Sequence, residues 1–213
     1  MPDLASINPE AGYHAIPQDP LEIALALRAG QVAWEQFPYL ALRFGERGQR
    51  FTHSDSCWLV ALCRMEPAAS TRNLEWLRGL LSTRGIPTVI LEAHLAAICT
   101  ELALVHPQHP GLAARYAPFL AARAAERDAL LPAAAKAPRR DAFEARLQAC
   151  PGMTVPAAAL LVASAWLDEY AGVAGALASM LPWMRDPLRF GSDWIHTIDE
   201  LAASLGPTGR EPC

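Results

Sequence analysis

The 213-residue chain is 52% hydrophobic and 19% charged, with a formal net charge of −4 at neutral pH. That composition excludes a wholly disordered polymer and supports a full hydrophobic core in a soluble globular protein. The acidic balance supplies no basic field for a phosphate backbone, so no nucleic-acid partner is expected.

In chain order, residues 1–18 have no basic region followed by an apolar one, so they read as an extended lead-in and not as a secretory signal. Asp19 and Pro20 suit the N-cap and first position of a helix carrying Leu21, Leu25 and Val32, which Pro38 kinks or restarts and Gly45 closes. "GERGQRF" then reads as a loop, and Thr52 with Asp55 as a capping box ahead of a helix with Trp58, Leu59, Leu62 and Cys63 on one face. Ser70 is placed to cap a third helix carrying Leu74, Leu77 and Leu81, with Gly85 as its stop and Pro87 as the next start.

The cleanest seam follows: Leu91, Leu95, Ile98, Leu102 and Val105 recur at steps of four and three. "HPQHPG" breaks it and reads as a surface turn, after which Leu112, Tyr116, Phe119 and Leu120 begin a helix, bent at Pro118, that runs to about Leu131. An Ala/Pro linker near 132–140 precedes a modest helix marked by Phe143 and Leu147. Thr154 is placed to cap one long apolar helix reaching about Leu181, and a last helix carries Trp194, Ile198, Leu201 and Leu205 before Gly206 and Pro207 end it.

The sum is an all-α fold: one bundle-like domain of about seven to eight helices over 19–205, with a C-terminal helical subdomain over 141–205 as a variant and a flexible tail at 206–213. Strand-type alternation over a useful length is absent.

Cys57, Cys63, Cys99, Cys150 and Cys213 are odd in number, dispersed and never in a C-x-x-C pair, which argues against a disulfide framework or zinc knuckle and for the cytoplasm. Within the apolar run 155–184, Asp168 and Glu169 oppose insertion into a membrane. At 100° per residue they share a narrow arc with Gly172 and Ser179, opposite Leu160, Leu167, Ala171 and Leu181. They therefore read as the wet edge of a core helix, with a partly covered border that leaves room for Asp168 to pair with an arginine from another helix.

No nucleophile or metalloprotease motif is present, and no catalytic residue or metal site is assigned. His94 borders the leucine seam, where it is either a core histidine hydrogen-bonded across helices or an axial ligand to haem or another tetrapyrrole. Arg43, Arg47 and Arg50 flank the "GERGQRF" loop ahead of the expected helix start at Thr52, a pattern able to hold a phosphate or carboxylate.

The expectation is a non-enzymatic cytoplasmic accessory or regulatory protein acting through contacts with a protein partner or a second copy of itself. The alternative is a helical pocket protein whose hydrophobic ligand or cofactor meets His94 or the Arg43, Arg47 and Arg50 loop.

Overall fold

The computed structural model describes residues 8–11 and 16–208, so the parts of the expected lead-in and tail at 1–7, 12–15 and 209–213 lie outside it. The fold is all-helical, as the periodicity predicts, and no strand occurs among the described residues. The helices are α1 (Pro20–Gln36), α2 (Tyr39–Leu62), α3 (Pro67–Ser82), α4 (Thr88–Val105), the single turn α5 (Pro110–Ala113), α6 (Ala117–Leu130), α7 (Arg139–Gln148), α8 (Ala158–Tyr170), α9 (Ala176–Met184) and α10 (Ser192–Leu205). The chain divides into two compact units, Met1–Glu75 with Ile90–Ala121, and Trp76–Val89 with Ala122–Cys213.

In the first unit, the Asp19 carboxylate accepts from the Leu21 amide at 2.9 Å and Pro20 opens α1, as expected. Phe37 cannot continue the helix because the following proline disfavours helical backbone there. The buried stripe of α1 differs from the expected one: Leu25, Ala26, Ala29 and Ala33 face inward with Glu22, while Leu21 is 63% exposed and Val32 is also on the surface.

Gly45 does not close the helix. It takes φ 55° as a kink inside α2, and helix continues on either side through the stretch expected to be a loop. The expected capping box at Thr52 therefore does not form. Thr52 is interior to α2, where its hydroxyl donates to the Gly48 carbonyl at 3.2 Å and accepts from the Trp34 indole at 2.8 Å. Gly30 allows α1 to approach α2 closely: a Cβ there would lie 2.7 Å from Ser56 Oγ and 3.2 Å from Thr52 Cγ2.

Proline openings explain two other shifted boundaries. Helix α3 begins at Pro67 and not at a Ser70 cap, and Pro118 sits in the first turn of α6, where no amide donor is needed, so it starts that helix without bending it. The α4 seam is as predicted over Leu91, Leu95, Ile98 and Leu102, which are buried, while Val105 at its end is half-buried. By length and composition α4 is also the one helix among the described residues apolar enough to cross a membrane.

In the second unit, the expected long helix over 155–181 is two helices. Gly172 and Gly175 adopt φ of 103° and 81°, a left-handed conformation that breaks the helix between α8 and α9. Neither piece approaches the roughly 20 residues needed to span a bilayer. Thr154 does not cap α8, which starts after Ala157 at φ 61°. Helices α7, α9 and α10 pack on α8. Trp194, Ile198, Leu201 and Leu205 on α10 are all buried, and Trp194 donates from its indole nitrogen to the Met184 carbonyl at 3.0 Å. The Ala/Pro stretch is partly packed, with Ala134 and Ala135 buried.

Candidate functional site

The expected solvent role of the acid pair is overturned on α8. Asp168 is 1% exposed, and both its oxygens are filled. Oδ1 accepts from Thr88 Oγ1 at 2.6 Å and Arg78 Nη2 at 3.2 Å, and Oδ2 accepts from Ser82 Oγ at 2.8 Å and the Thr88 amide at 2.9 Å. The arginine partner that the sequence left room for is Arg78, whose Nε also donates to Thr88 Oγ1 at 3.0 Å. Glu126 lies 3.5 Å from Arg78 and 2.8 Å from Arg123, which joins a second acid and a second arginine to the group.

Helix geometry explains the role. Thr88 and Val89 open α4 after a proline, and their amides have no partners within that helix. Asp168 accepts the first and Ser164 Oγ the second, at 3.1 Å, so one turn of α8 caps α4 from outside. The negative charge also complements the positive helix terminus.

Glu169 serves a second helix. Its Oε2 accepts from the Leu177 amide at 2.7 Å, at the start of α9, and its Oε1 accepts from Thr208 Oγ1 at 3.1 Å. Glu144 caps α8 in the same manner through the Ala159 amide at 2.9 Å. These helix starts, Ala157 and Gly175, have no side-chain cap of their own. Glu169→Ala should therefore lower stability by about 1 kcal/mol, the usual worth of an N-cap, and Glu169→Gln by clearly less because its carbonyl still accepts. Thermal unfolding of the two variants measures the difference, and equal, negligible losses would restore a purely solvating role.

In the first unit, His94 is buried with Nε2 2.8 Å from Ser56 Oγ. Ser56 gives its own hydrogen to the Thr52 carbonyl at 2.7 Å, so it accepts from His94, and this assigns the imidazole proton to Nε2. Burial pushes His94 down to about 4, leaving the ring neutral at physiological pH. An axial bond from Nε2 to a metal would require that hydrogen bond and proton to be given up.

The three candidate arginines all lie on α2, Arg43 before the Gly45 kink and Arg47 and Arg50 after it, and Thr52 is interior to the helix, without the free amides a helix start there would have provided. Arg43 bonds the Tyr39 hydroxyl and stands over the Phe44 ring at 5.1 Å. Arg47 meets Glu10 at 2.8 Å, with Arg50 3.6 Å from the same carboxylate, and the Arg47 hydrogen bond holds Glu10 below its usual value.

A different cationic group gathers in this unit, unmarked by any motif. Arg64, Gln108, His109, Pro110, Gly111, Leu112 and Arg115 line an open cleft of about 560 Å³. Arg115 donates from Nε to the Cys63 carbonyl at 3.0 Å, capping the end of α2, and no acid pairs with it among the described residues. Glu22, which is buried and does not line the cleft, accepts from Arg64 and stands 2.9 Å from His106 Nε2. Histidines 106 and 109 do belong to a turn, as expected, but His106 is tied into the unit and not left in solvent. One signal in the sequence points here: Glu22 falls at i−3, i−4 and i−7 from Leu25, Ala26 and Ala29, which places an acid on the buried stripe.

Among the described residues no group of three His, Cys, Asp or Glu side chains is placed to hold a metal ion. Compared with protein families, curated proteins and solved structures, the chain matches none.

Proposed function

We propose that this chain is a non-catalytic accessory protein that acts by binding, and that it recognises a carboxylate group of a protein partner in the cleft of the first unit. The observation that supports this reading is the lining: two guanidinium groups, an imidazole and a side-chain amide around an open space with no acid among its walls. Arginine's planar fork matches an oxyanion through paired donors, and Arg115 keeps its terminal nitrogens available because only Nε is committed. An open cleft is screened by solvent and salt, so the contact is weak and ionic-strength dependent and suits a partner that adds further surface elsewhere.

A tetraglutamate peptide tests the reading by amide chemical-shift titration at low salt. Saturable shifts should centre on 108–115, and Arg115→Ala should weaken binding about tenfold or more, since a hydrogen bond to a charged group is worth about 1.5–3 kcal/mol. The exposed Arg146→Ala in the other unit serves as the control and should leave binding unchanged. Shifts spread evenly over the surface, or affinity insensitive to Arg115→Ala, would reject the cleft as the recognition element.

A further inference from the structure

We infer that anion binding in this cleft is coupled to proton uptake at His106, with Arg64 as the arm that exchanges between Glu22 and the ligand. The inference rests on the anion-binding reading above and adds to it how the site is regulated. Arg64 belongs to two environments at once: its guanidinium bonds the Glu22 carboxylate, whose side chain is 6% exposed, yet Arg64 is 47% exposed and lines the cleft. Arg64 meets Glu22 through Nη2, so an oxyanion that takes both terminal nitrogens in a paired contact competes with Glu22 for that donor.

Glu22 cannot lose that partner without consequence, because a buried carboxylate deprived of its cation is strongly disfavoured. His106 is placed to replace it. Its Nε2 is already 2.9 Å from the same Glu22 Oε1, and as imidazolium it restores the charge balance that Arg64 leaves. The charged and titratable groups brought to His106 are Glu22 from α1, Arg64 from the end of α2, and His109 of its own turn with ring centres 6.4 Å apart. Ligand binding and His106 protonation therefore favour each other, and by linkage each raises the other's affinity equally.

Sulfate is the probe, because it stays a dianion across the relevant pH range. Histidine side-chain NMR on the full chain, assigned with His106→Gln, follows each imidazole from pH 5 to 8.5 with and without saturating sulfate. The His106 midpoint should rise by about one pH unit or more, equivalent to about a tenfold change in sulfate affinity across the titration. His106→Gln should bind sulfate more weakly and lose that part of the pH dependence. Glu22→Gln should bind more tightly than the parent, since a neutral amide releases Arg64. A His106 midpoint unmoved by saturating sulfate, or proton uptake appearing at Glu22 in place of His106, overturns the coupling while leaving the cleft intact. Absence of saturable sulfate binding at every pH overturns the cleft and the coupling together.

Discussion

Asp168→Asn should cost about 3–5 kcal/mol of unfolding free energy, the range expected when a buried ion pair is broken. Four donors converge on the two carboxylate oxygens, and an asparagine offers one oxygen acceptor and an NH2 group that meets donors head-on. Arg78 would then lose its 3.2 Å contact with the Asp168 carboxylate, and the first amide of α4 would lose its cap or share the remaining oxygen. Urea denaturation followed by far-ultraviolet circular dichroism measures the loss. Because replacing a whole buried pair by apolar groups of similar volume is often near neutral, Asp168→Leu combined with Arg78→Met should recover part of the loss. The recovery should be incomplete, since Ser82 Oγ and the Thr88 amide would still lack their acceptor. A loss below about 0.5 kcal/mol from Asp168→Asn, the range of ordinary surface sites, would be incompatible with this network.

Acidification should expose His94. Its folded-state value, held down to about 4 by burial, lies below the 6.5 of the free side chain, so the unfolded chain takes up the proton first. The neutral buried ring thus contributes nothing to acid loss above about pH 6.5, and stability falls as pH drops through the window from 6.5 to about 4. At about 1.4 kcal/mol per pH unit of separation, the full loss is about 3 kcal/mol. His94→Gln keeps a donor for Ser56 Oγ without a titrating ring, so the difference between parent and variant should shrink or reverse in sign across that window. Equilibrium unfolding at half-unit pH steps gives the slope. A parent and variant with parallel pH profiles would show that His94 remains accessible to protons in the folded state. The same variant bears on the tetrapyrrole alternative: haem absorbance that persists in His94→Gln would remove that residue as the axial ligand.

Much of the fold was legible because helices announce themselves locally. The α4 seam and the α10 stripe are buried as their spacing requires, and Asp19 with Pro20 starts α1 through contacts only two residues apart. Some local cues have two outcomes. Glycine at position 45 suits a helix stop yet forms a kink within α2, and Ser179 falls on the Asp168 arc only on one continuous helix, which Gly172 and Gly175 interrupt.

The sequence by itself thus determined the helical class, most helix cores and several starts, all properties that depend on neighbours within a turn or two. Tertiary structure alone decided what the charges do. Asp168 caps α4 from 80 residues away, Glu144 caps α8 from 15 and Glu169 caps α9 from 8, while Glu22 meets His106 across 84. A carboxylate on a helix has the same periodicity whether its oxygens reach water or another helix's orphan amides. Only the packing of α8 against its neighbours, which removes water from Asp168 and brings donors to it, separates the two.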